Sequence, residues 1–183
     1  ITPIDGRVTG KSTFSNESGL TTADIEIKIA DANPIGVTAD PVNVDIVGRL
    51  RDGKLTTVAT GAGQGFRLEA GSLLEMNIVK GFNVTPDRNA PVEARVSVTG
   101  RAEQLWAVFG PEDQVLRGEL DADIRAGGTL NRPTLVGGFS MADGVYEHGE
   151  TGLRLVDITA RGEMDHRSAR ITEFSAGDGR GGQ

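Results

Sequence analysis

The chain has no cysteine, so disulfides and thiolate metal sites are out of the question. That is the habit of many bacterial envelope proteins, and also of many cytosolic ones. Aromatic residues make up only 4%, with one Trp and one Tyr, so stacking platforms for sugars are scarce and a lectin or glycosidase is disfavoured. Apolar runs extend only a few residues, too short for a transmembrane helix. No basic stretch followed by an apolar one opens the chain, so a signal peptide is not expected. Both ends read as cuts inside a larger protein. Basic residues are also short: 19 Lys and Arg face 26 Asp and Glu, a net charge of -7. Neutralising phosphates needs clustered cations, and here they are scattered among acids, so no nucleic-acid partner is expected.

Glycine is abundant, 26 of 183 residues, roughly twice the usual share. The dominant signal is period two. From Leu116 the even positions read Leu, Gly, Leu, Ala, Ile, Ala, Gly, Leu through Leu130, while five of the seven odd positions between them are charged. Successive strand side chains point to opposite faces, so this pattern predicts one long, half-buried strand. The alternation recurs at Ala23, Ile25, Ile27 and Ile29; at Val42, Val44 and Ile46; at Val92, Ala94, Val96 and Val98; and at Ile158, Ala160, Gly162 and Met164. Phase slips between Leu155 and Ile158 and between Ile171 and Phe174 predict bulges or strand ends. The Asp-Gly pairs at Asp52-Gly53 and Asp143-Gly144 predict tight hairpins.

One segment departs from this rule. Ala102, Leu105, Trp106 and Phe109 follow i, i+3, i+4, i+7, and Gly110-Pro111 ends the run. The spacing predicts a short amphipathic helix near 102–109 that plugs one end of the apolar interior, with Leu105, Trp106 and Phe109 as its cap. Pro41, Pro91 and Pro133 each begin a comparable strand unit, where a missing donor is tolerated. Their uneven spacing fits loosely repeated hairpins better than a strict solenoid.

The apolar faces must then meet one another or some other molecule, because burying each Leu, Ile or Val is worth about 1.5–3 kcal/mol. Two arrangements satisfy this: a closed sandwich with faces about 10 Å apart, or an open, curved sheet folded like a taco shell around an apolar groove. Small inward residues such as Ala94, Gly118, Ala122 and Gly162 lean toward the groove.

The C-terminal two-fifths resembles the TamB family of the AsmA-like superfamily. The resemblance rests on Gly118-x-Leu120, then Gly128-Thr-Leu-x-x-Pro133-x-Leu135-x-Gly137, a strand with Asp143-Gly144, the Leu153-x-Leu155…Ile158 strand, and a closing Ala176-x-x-Gly179-x-Gly181. It implies a periplasmic localisation, as part of a protein anchored in the inner membrane by a single N-terminal helix and reaching toward the outer membrane of a Gram-negative cell. It further implies an all-β, mostly antiparallel, open β-taco spanning 1–183 with an apolar interior groove. The partners it implies are a TamA-like outer-membrane barrel, phospholipid, and unfolded outer-membrane or autotransporter proteins.

Motifs for chemistry are weak. Glu147-His148-Gly-Glu150 and Asp165-His166 fall short of the three or four converging ligands a metal needs. Gly177-Asp-Gly-Arg-Gly-Gly182 is only a single, incomplete match to a calcium-binding repeat. Gly61-Ala-Gly-Gln-Gly65 precedes no helical pattern, unlike a dinucleotide loop. Nothing positions a catalytic triad, so neither an enzyme nor a cofactor is expected. The expectation is instead a groove lined by Ile25, Ile27, Val44, Ile46, Val96, Val98, Leu120, Ile124, Leu130 and Ile158. It serves phospholipid transport or outer-membrane protein assembly; the alternatives are a β-augmentation module for unfolded strands and a closed structural sandwich or adhesin scaffold.

Overall fold

The alternating segments form strands, and each pairs with its neighbours in antiparallel register. The computed structural model describes residues 4–17, 20–34, 40–79, 83–111, 113–166 and 168–179. The strands are β1 (Ile4–Glu17), β2 (Leu20–Pro34), β3 (Val42–Arg51), β4 (Lys54–Gly63), β5 (Phe66–Val79), β6 (Asn83–Pro86), β7 (Val92–Arg101), β8 (Gln114–Thr129), β9 (Arg132–His148), β10 (Leu153–His166) and β11 (Ser168–Gly177). The single helix among the described residues, α1 (Ala102–Phe109), lies between β7 and β8. All eleven strands belong to one open sheet in the order β1-β2-β3-β4-β5-β7-β8-β9-β10-β11, with the short β6 pairing the far end of β5. The connectivity is a plain meander.

The described residues form a single layer. Apart from neighbouring strands, the main packing between elements is α1 on β8, and no large side chain among the described residues is fully buried. The chain exposes 11923 Å², whereas a compact monomer of 19.2 kDa exposes roughly 8,400 Å² by the usual scaling. A closed sandwich would have removed that excess, so this alternative is not the fold.

Local chemistry explains the turns and also one correction. Asp52 (φ 50°) and Gly53 (φ 71°) link the pair Arg51 and Lys54, which is the backbone a two-residue type I′ hairpin requires. Asp143-Gly144 does not form the expected hairpin. It lies inside β9, where Asp143 and Gly144 together oppose Gly118 of β8, since Glu119 pairs Ala142 and Arg117 pairs Val145. The strands on both sides run past this point, so the extra residue is absorbed as a bulge and β9 keeps its partners. Bulges continue into β10, between Leu155 and Ile158, and a further slip opposes Arg161 and Gly162 to Glu173 and Ile171. Gly118, Asp143 and Asp157, all at positive φ, thus mark a crease across three strands. Bulges bend strands and increase twist.

Candidate functional site: an apolar face and the cavity under the helix

Register decides which residues share a face. In an antiparallel sheet, directly paired residues point to the same side. One row of pairs runs Val8, Ile29, Val44, Gly61, Leu68, Val98, Ala122, Phe139, Gly162, Ile171. The next runs Gly10, Ile27, Ile46, Ala59, Ala70, Val96, Ile124, Gly137, Met164, Ala169. Neither row contains a polar side chain. With strands about 4.8 Å apart, ten lanes carry this apolar track over roughly 43 Å. A parallel row holds Ile25 opposite Gly48, with Thr57 and Ser72 further along.

Of the ten residues expected to line a groove, Ile25, Ile27, Val44, Ile46, Val96, Val98, Leu120 and Ile124 share this face by register, and Ile158 joins them through its pairing with Gly144. Leu130 stands apart. β8 ends at Thr129 and Leu130 sits in the β8–β9 turn, exposed. Burial along the face is uneven: Val98 and Ile158 are buried, whereas Val96, on the sixth of ten lanes, remains 40% exposed. A central-strand valine can be that open only if no layer lies above it.

The opposite face is polar and is laced with cross-strand ion pairs. Arg51 meets Asp24 at 2.6 Å, Arg95 meets Asp123, and Arg161 meets Glu173 at 3.2 Å. All are substantially exposed, and such pairs contribute about 0–1 kcal/mol each. Their consequence is orientation, since this face is the one that suits water.

Beyond the crease the apolar face acquires a cover. Ala102, Met141, Ile158 and Ala160 form a buried cluster against which Leu116, Leu120, Phe139, Tyr146 and Leu155 pack. The helix is anchored at both ends. At its start Arg101 pairs with Asp40 at 3.2 Å and with the buried Glu103. At its end Trp106 Nε1 donates to the Gln114 carbonyl at 3.1 Å, and the Gly110 N–H donates to the Trp106 carbonyl. Trp106 and Tyr146 meet edge to face, their ring centroids 6.4 Å apart, and the Tyr146 hydroxyl donates to Gln114 Oε1 at 2.8 Å.

Between helix and sheet lies a cavity of about 620 Å³, lined by Leu105 and Trp106 of α1, Phe139, Met141 and Tyr146 of β9, and the apolar side chains of β8, β10 and β11 facing them. Leu105 and Trp106 are thus two of the three expected cap residues on this lining; the Phe109 side chain lies outside the described residues. Sequence reasoning missed Leu116, Phe139, Met141, Tyr146, Leu155 and Phe174. Leu116 had a signal as the first apolar position of the β8 alternation, and Leu155 and Phe174 as members of the two phase slips. Bulges reverse the alternation at β9 and β10, and Phe139, Met141 and Tyr146 had none.

Among the described residues no convergent chemistry appears elsewhere. His148 Nδ1 lies 3.5 Å from Asp113 and the exposed His166 contacts Asp165, but no group of three or more His, Cys, Asp or Glu among the described residues could hold a metal. No helix among them is long and apolar enough to cross a membrane. Compared with known proteins, the chain matches no family model, no curated protein and no solved structure.

Proposed function

We propose that this chain is a periplasmic segment of a TamB-like protein whose uncovered apolar face carries phospholipid hydrocarbon toward the outer membrane. The observation behind the reading is Val96: a valine at the centre of a ten-lane apolar face, 40% exposed, in a sheet that has no second layer among the described residues. Such a face needs an apolar occupant. A chain of about sixteen carbons gains roughly 13 kcal/mol when it leaves water for apolar surroundings, at about 0.8 kcal/mol per methylene, and the roughly 43 Å track exceeds the length of one bilayer leaflet, about 15 Å of hydrocarbon. In this reading the protein performs no covalent chemistry and needs no cofactor. Its neighbours are an inner-membrane anchor elsewhere in the polypeptide and a TamA-like barrel in the outer membrane.

A second reading has its own observation. Among the described residues β1 and β11, of 14 and 10 residues, each pair with a strand on one side only, and each carries exposed apolar side chains (Val8; Ile171 and Phe174). Long bare edges accept added strands, as assembly of outer-membrane or autotransporter proteins would require. Photo-crosslinkers at Leu120 and Ile124, compared with ones at Val8 and Ile171, test the two in a Gram-negative envelope. Lipid adducts on the face support carriage. Polypeptide adducts at the edges, with none of lipid on the face, would replace it with strand capture.

A further inference from the structure

Resting on the hydrocarbon-carrier reading, we infer that the cavity beneath α1 is an end-stopped subsite for a single hydrocarbon tail, entered methyl end first, with Trp106 and Tyr146 closing its far end. Its size, about 620 Å³, falls in the range of small-molecule sites, about 300–1,000 Å³. Unlike the rest of the face it is covered on one side, by α1, while its mouth stays open to the face. Phe139 belongs to the first apolar row, and Leu120, Met141 and Ala160 form the adjacent row on the same face; all four line the cavity, so the face leads directly into it.

The lining also specifies what can enter. Among its described side chains only Trp106 and Tyr146 carry nitrogen or oxygen atoms, and both are engaged with Gln114. The side chains therefore offer an entering molecule no free donor and, as an acceptor, only the Tyr146 hydroxyl oxygen. A headgroup or a polypeptide backbone in the cavity would give up water and gain at most that one oxygen-containing side-chain partner there. A hydrocarbon end has nothing to lose, so the polar end of the ligand remains outside along the face. Gly162 makes room for the Phe139 ring of the lining: the ring lies where a side chain at 162 would stand, and an added Cβ would overlap it.

Trp106 is the only tryptophan, so its fluorescence reports on this cavity alone. Sixteen-carbon fatty acids brominated next to the methyl end or next to the carboxylate are titrated into the protein. The methyl-end bromine is expected to remove more than half of the Trp106 emission, the carboxylate-end bromine little, with unbrominated acid restoring the signal. Equal quenching from both positions, stronger quenching from the carboxylate end, or no quenching overturns the inference. Ala160→Leu, which adds atoms inside the cavity, is expected to abolish the effect; quenching unchanged in a folded Ala160→Leu overturns it. Should that variant fail to fold, the restoration by unbrominated acid in the unaltered protein decides. Native mass spectrometry of the same sample separates the two levels. Phospholipid retained while Trp106 stays bright removes the subsite and leaves the carrier reading intact; loss of both removes both.

Discussion

At Gly162 an aromatic ring takes the place a side chain would fill, and the identity of one small residue sets the local shape of the cavity. A Cβ there would overlap Phe139 Cε1, so Gly162→Val must push the ring off β10. Overpacking of this kind costs about 1–3 kcal/mol, and the urea midpoint is expected to fall accordingly, together with hydrocarbon uptake. Gly53 is a purely conformational case. At φ 71° in a two-residue hairpin, Gly53→Ala is expected to lose about 1–2 kcal/mol with no change in hydrocarbon uptake, because its added Cβ would meet nothing closer than the Met76 carbonyl at 3.5 Å. Equal loss of uptake in both variants would show that uptake merely tracks stability. Gly53 was legible in the sequence because Asp-Gly between alternating strands is a turn signal. The role of Gly162 was not, since it depends on which residue of β9 lies opposite.

For elements, the alternation predicted strands correctly because one face meets water, and it predicted α1 because a 3.6-residue period stands out in a period-two background. What the pattern could not give was the crease. Asp143-Gly144 carries the same dipeptide as Asp52-Gly53, and only the length of the flanking strands decides between turning back and bulging. The cavity wall was hidden for the same reason, since Tyr146 and Leu155 reach the apolar side only after the bulges are counted. The seating of α1 depends on Arg101, which holds Asp40 and the buried Glu103. Arg101→Ala leaves that carboxylate buried without its cation, and an unpaired buried polar group costs about 1–3 kcal/mol, more for a charged one; with Arg101 itself half exposed, about 1–3 kcal/mol is expected. Adding Glu103→Gln should recover part of it, read as a shift in urea midpoint. No recovery would mean that α1 is held by its apolar contacts alone.

For the whole molecule, Ile124→Asp places a charge on the open face, in the row that contains Val96. Ile124 is only partly buried, so the fold is expected to tolerate the change, seen as an unaltered far-UV CD spectrum, while co-purified phospholipid in native mass spectra disappears. Phospholipid retained by the folded variant would speak against carriage along this face. The openness of the sheet was only half legible. Small inward residues favoured it, yet the same alternation serves a sandwich, and nothing local in a sequence records the absence of a second layer.

A sheet whose strands lean mainly on the two beside them behaves like a row of dominoes, with stability set by nearest-neighbour terms as in repeat proteins. Opening should begin at β1 and β11 and move inward, so amide hydrogen exchange is expected to be fastest at those margins and slowest around β5, β7 and β8. Uniform protection from margin to centre would mean that the ribbon melts as one cooperative block.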